Sequence, residues 1–71
     1  MRVVKFQNSN WGIRVSGIWY NYWYQDLKVA NYSWQKGSRY FPDCQGSFDE
    51  VQKVYGQLTG RVINLDKVVY E

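Results

Sequence analysis

The chain has 71 residues, a formal net charge of +3, 20% aromatic side chains, one cysteine, one proline and no histidine. A length of this order holds one compact domain, here residues 1–71, and excludes a dinucleotide-binding unit with a separate substrate domain. No apolar run approaches the ~18 residues of a spanning helix, and one thiol cannot build the internal disulfide framework of small secreted domains.

Residues 2–6 alternate Val3 and Lys5 with Val4 and Phe6 and predict a first strand. This segment is basic but carries no apolar leader stretch, so with the lone thiol it points to a cytoplasmic setting, bacterial or within a host cell. Gln7, Asn8, Ser9 and Asn10 make a turn cluster, because Asn and Ser side chains bond nearby backbone and Asn tolerates left-handed φ. Residues 11–15 resume the alternation, with Trp11, Ile13 and Val15 on one face and Gly12 and Arg14 on the other. Ser16-Gly17 reads as a hairpin turn or a bulge. Residues 18–24 are the richest in aromatic and β-branched side chains and predict a third strand. One of its faces holds Ile18, Tyr20, Tyr22 and Tyr24, the other Trp19, Asn21, Trp23 and Gln25. Gln25-Asp26 follows as a turn, residues 27–34 as a strand, Gln35-Lys36-Gly37-Ser38 as a turn and residues 39–41 as a short return.

Residues 41–46 form an irregular link around Pro42, which cannot donate to a ladder. Ser47 and Glu50 then have the spacing of a capping box, each satisfying the other's free amide, and Asp49 and Glu50 suit the first turn of a helix. Phe48, Val51, Val54, Tyr55 and Leu58 fall on one helical stripe, and Gly60 supplies the C-terminal cap. Residues 61–70 return to strand, with Asn64 or Asp66 marking a bend. The expected fold is therefore α+β: an antiparallel sheet of four to five strands with one helix on one face, in the order β-β-β(-β)-α-β. A small, partly open β-barrel with one helix is the alternative.

Charge and aromaticity share one half of the chain. Residues 1–41 hold Arg2, Lys5, Arg14, Lys28, Lys36 and Arg39 against Asp26 alone, and eleven of the fourteen aromatics lie between Phe6 and Phe41. Residues 42–71 are acidic on balance. Such asymmetry fits either an anionic or acidic partner or a sheet kept soluble by its cations. Catalysis is not expected: there is no His, Cys44 has no imidazole to activate it, and the Asp49/Glu50 pair is explained by the cap. No cofactor or metal is expected either, since the six glycines match no phosphate-cradling loop and one Cys without His cannot close a zinc site.

A chain this short must commit most of its rings to its core, leaving a minority for a partner. The expected contact residues are Arg14, Trp19, Tyr22 and Trp23, extended by Trp34, Lys28 and Arg39. Trp, Tyr and Arg are the residues that anchor protein interfaces, which makes a protein partner with an acidic surface the leading expectation. Stacking of bases on Trp11, Trp19, Tyr22, Trp23 and Trp34, with Arg14, Lys28, Lys36 and Arg39 on phosphates, is the nucleic-acid alternative. Self-association through an edge strand at residues 2–6 or 61–70 is a third. Residues 60–66 resemble the closing strand of small bacterial regulators, and nothing functional transfers from them. In size, aromatic content and lack of catalytic groups the chain resembles small accessory proteins of bacteriophages. That resemblance implies a non-catalytic inhibitor or modulator that blocks a host enzyme or defence factor.

Overall fold

Val3 and Val4 are neighbours whose side chains point to opposite sides of a strand, yet both are buried. A strand with that pattern needs cover on both faces, and the architecture provides it. A computed structural model describes residues 1–28, 34–36 and 44–71 of the chain. Its strands are β1 (Arg2–Lys5), β2 (Trp11–Ser16), β3 (Asn21–Tyr24) and β4 (Trp34–Lys36); then come a helix, α1 (Phe48–Thr59), and β5 (Val69–Tyr70). They form one sheet in the order β4-β3-β2-β1-β5.

The fold is thus α+β in the expected order, with five strands and, among the described residues, one α-helix. The sheet is mixed rather than wholly antiparallel, because β5 runs parallel to β1, pairing Val4 with Val69 and Lys5 with Tyr70. The other ladders are antiparallel. Because β4 and β5 lie at opposite ends of the order, the sheet stays open and the barrel alternative fails. β1 is also internal, paired on both sides, so residues 2–6 offer no edge for self-association.

Strand boundaries shift where turn chemistry overrides β-propensity. The strand expected at 18–24 begins only at Asn21, because the Gly17 amide donates to the Tyr20 carbonyl at 2.8 Å and closes a turn over residues 17–20. Leu27 and Lys28 belong to a turn rather than opening a strand, following Asp26 at a left-handed φ of 59°. Gln35 and Lys36 sit in β4, not in the turn expected there. The rest of the predicted 27–34 strand and the return at 39–41 lie outside the described residues. In the first turn it is Ser9, not an Asn, that takes the left-handed φ (69°), while Asn8 Oδ1 accepts from the Asn10 amide. The strand expected at 61–70 shrinks to β5, because Asn64 caps a 3₁₀ turn over Leu65–Lys67 by accepting from the Asp66 amide.

α1 begins and ends as its caps dictate. Ser47 accepts from the Glu50 amide, the Glu50 carboxylate accepts from the Ser47 amide at 2.8 Å, and Gly60 closes the helix at a left-handed φ of 70°. Val51 and Val54 are fully buried against Val3, Ile13, Tyr24, Leu27, Ile63 and Val68; Phe48, Tyr55 and Leu58 pack around them. The opposite sheet face carries a second, smaller cluster of Val4, Phe6, Trp23 and Cys44. Cys44 reaches it because Gly46 pairs with Trp11 through two backbone hydrogen bonds and so straps the chain across the start of β2. The thiol is completely buried there.

Candidate functional site

A turn that starts at a glycine exposes whatever follows it, and here the following residues are large and apolar. Ile18 is 91% exposed, Trp19 85%, Tyr20 53% and Tyr22 38%. A Cβ at Gly17 would come within 2.8 Å of the Tyr20 carbonyl oxygen and 3.1 Å of the Tyr22 ring, so the turn needs a residue without a side chain. Isolated exposed apolar residues are ordinary, whereas these four, Ile18, Trp19, Tyr20 and Tyr22, are clustered at one hairpin tip.

Behind the tip, α1 covers only part of its sheet face. Where the cover stops, Met1, Val15, Tyr22 and Trp34 line an open groove of about 440 Å³. Val15 and Tyr22 are direct cross-strand partners, and Trp34 stands edge-on to Tyr24 with ring centroids 5.2 Å apart. Lys36, the cross-strand partner of Tyr22, places Nζ 3.8 Å from the Tyr20 ring centroid. That distance is close enough for cation–π attraction, which holds the ammonium at the base of the tip.

The expected contact residues divide. Trp19, Tyr22 and Trp34 gather at the tip and groove. Trp23 does not: it is 2% exposed, packed on Phe6 at 5.5 Å between centroids, and belongs to the second core cluster. The sheet face on which Trp23 lies is therefore closed at that position by Phe6 and Cys44, and its ring is structural. Arg14 lies on that same far face, bonded to Glu71 at 2.9 Å with its guanidinium 5.8 Å from the Trp23 ring. It is engaged there and does not face the groove. Lys28 is exposed towards the start of α1, where its charge adds slightly to the bond from the Ser47 amide that holds the Glu50 carboxyl below its usual range. Arg39 lies outside the described residues.

Ile18, Tyr20, Val15 and Met1, which were not among the expected contacts, lie at the same tip and groove, and Lys36, expected only as a phosphate contact, lies beside Tyr20. The signal for Ile18 and Tyr20 was a run of bulky side chains directly after Ser16-Gly17, which strand propensity masked. No helix among the described residues is long and apolar enough to cross a membrane. No family model, curated protein or solved structure matches the chain.

Proposed function

We propose that the chain is a non-catalytic binding protein that docks on a larger protein through the β2–β3 hairpin tip and modulates or inhibits that partner by covering its surface. One observation carries this reading. In a chain that buries Trp23 and Tyr24 almost completely, Ile18 and Trp19 are left fully open to water on a turn held by backbone bonding. Exposing a Trp and an Ile has a cost in water that docking into a partner pocket recovers, and Trp is the residue that most often dominates such pockets. The excess of basic residues in the first half favours an acidic partner surface. The single buried thiol suits a reducing cytoplasm.

The nucleic-acid reading has less support. Its stackers do not share a surface, since Trp23 is buried and Trp11 packs on Phe48 at 4.8 Å, and Arg14 is neutralised by Glu71. A single-strand binder needs rings and free cations along one groove.

The test is stoichiometric capture from a bacterial extract by the immobilised protein, compared with Ile18→Ser/Trp19→Ala. The reading expects one dominant partner, lost in the variant while the circular dichroism spectrum stays unchanged. Retention of the same partner by the variant sinks the assignment. Salt-sensitive quenching of tryptophan emission by oligo-dT would move the function to nucleic acid instead.

A further inference from the structure

Beside the convex tip lies a concave surface with a chemistry of its own. α1 packs over Val3, Ile13 and Tyr24, leaving the groove of Met1, Val15, Tyr22 and Trp34 without cover from the helix. At about 440 Å³ it falls among the clefts of ~300–1,000 Å³ that receive ligands. Its charge is one-sided. Among the described strand residues of this sheet face the charged side chains are Lys5 and Lys36, and no acidic residue occurs anywhere in positions 1–25. Lys5 stands 5.6 Å from the Trp11 ring, at the end of the face where Trp11 packs on Phe48 of α1, whereas Lys36 is the cross-strand partner of Tyr22, a residue of the groove lining, and holds Nζ 3.8 Å from the Tyr20 ring centroid. The only ion pair among the described residues, Arg14–Glu71, is on the opposite face, and Lys36 has no ion-pair partner among the described residues.

We propose that this groove receives a short partner segment in which bulky apolar side chains alternate with carboxylates, the apolar groups filling the groove and a carboxylate meeting Lys36. The assignment rests on the hairpin reading above and names the chemistry of its partner. A second copy of the chain is a poor occupant, because it brings the same net charge of +3 towards the same lysine. A bilayer surface is flat and does not fill a concavity, and a nucleic acid offers no aliphatic side chains to it.

The test uses the intact chain to select from a display library of random dodecapeptides. Selected sequences should be enriched in Asp or Glu next to Leu, Ile, Phe or Trp. Lys36→Glu, a change at an exposed side chain, should weaken the best peptide about five-fold, more at low salt, and turn a repeated selection towards Lys and Arg. Val15→Ser should weaken it further with the fold intact by circular dichroism; if that variant unfolds, Tyr22→Ser makes the same groove test. Selected peptides without acidic bias, peptides indifferent to Lys36→Glu, or no enrichment at all each overturn the proposal. So does co-sedimentation with phosphatidylserine vesicles in place of peptide binding, or a sedimentation mass of twice 8.5 kDa that the groove variants abolish. If the selection fails while Trp19-dependent capture from extract survives, this inference alone is lost. If both fail, the hairpin reading falls with it.

Discussion

Arg14 Nη1 donates to Glu71 Oε1 at 2.9 Å, joining two residues 57 positions apart in the chain. The bond spans β1, since Arg14 lies on β2 and Glu71 directly follows β5. A second bond, from the Glu71 amide to the Lys5 carbonyl at 2.9 Å, fixes the same residue to β1. Both side chains of the pair are about one-fifth exposed, and Arg14 Nε is buried without a hydrogen-bond partner. A two-residue strand gains much of its fixation from such a clamp.

Glu71→Gln should therefore destabilise the fold by about 1–2 kcal/mol, the cost of leaving a largely buried guanidinium without its counter-charge, discounted for its residual contact with water. Arg14→Met should cost less, because it also removes the unpartnered Nε. Urea denaturation of both single variants and the double variant gives the coupling directly. A coupling below about 0.3 kcal/mol would mean the pair does not clamp β5.

Two tryptophans four positions apart should respond oppositely to truncation. Trp23→Ala removes a ring from the second core cluster and should cost about 3–5 kcal/mol, enough to leave a domain of this size largely unfolded. Trp19→Ala touches a ring that stands in water and should change stability by no more than about 0.5 kcal/mol. Thermal melts of the two variants settle the contrast, and an unfolded Trp19→Ala would contradict the exposed tip.

Acid should loosen the start of α1. The Ser47 amide, assisted by its hydroxyl, holds the Glu50 carboxyl below its ordinary value of 4.5. A lowered folded-state pKa stabilises fully above 4.5, and that contribution disappears as pH falls through the lowered value. Glu50→Gln should flatten this acid limb of the stability curve. Ser47→Ala should cost about 1 kcal/mol near neutral pH through loss of the cap. Urea midpoints between pH 2.5 and 7 are the measurement.

Gly17→Ala should displace the hairpin tip while sparing the core. The added methyl meets the Tyr20 carbonyl at 2.8 Å, which is backbone and cannot swing away. The expected cost is about 1–3 kcal/mol, with amide chemical-shift changes confined to residues 16–22 and their β4 neighbours. Changes spread across α1 would mean that the turn is not an independent unit.

The sequence and the structure agree where local chemistry and packing point the same way. α1 was legible because Ser47, Glu50 and Gly60 mark its ends and Val51 and Val54 its inner stripe. β1 and β2 were legible from simple alternation. The start of β3 was hidden, because Ile18 and Trp19 have strand-like side chains but occupy a turn set by a backbone bond at Gly17. β5 was overdrawn because Val62 and Leu65 look like core residues and are exposed instead. Trp23 was misplaced for a subtler reason. Alternation predicts which side of a strand a residue occupies, but not that Phe6 and a strap through Cys44 cover the second side. Trp19 and Tyr22 stand exposed, as composition alone requires of some rings in a chain with so small a core.

The distribution of indoles gives the protein a built-in optical reporter. Trp19 alone is bathed in solvent, Trp23 is sealed, and Trp11 and Trp34 are intermediate. Sequestration of the hairpin by any ligand should thus shift the long-wavelength edge of the emission to the blue and protect it from acrylamide. Denaturation should shift the spectrum to the red and open every indole to the quencher. One cuvette can separate association from loss of structure without a label.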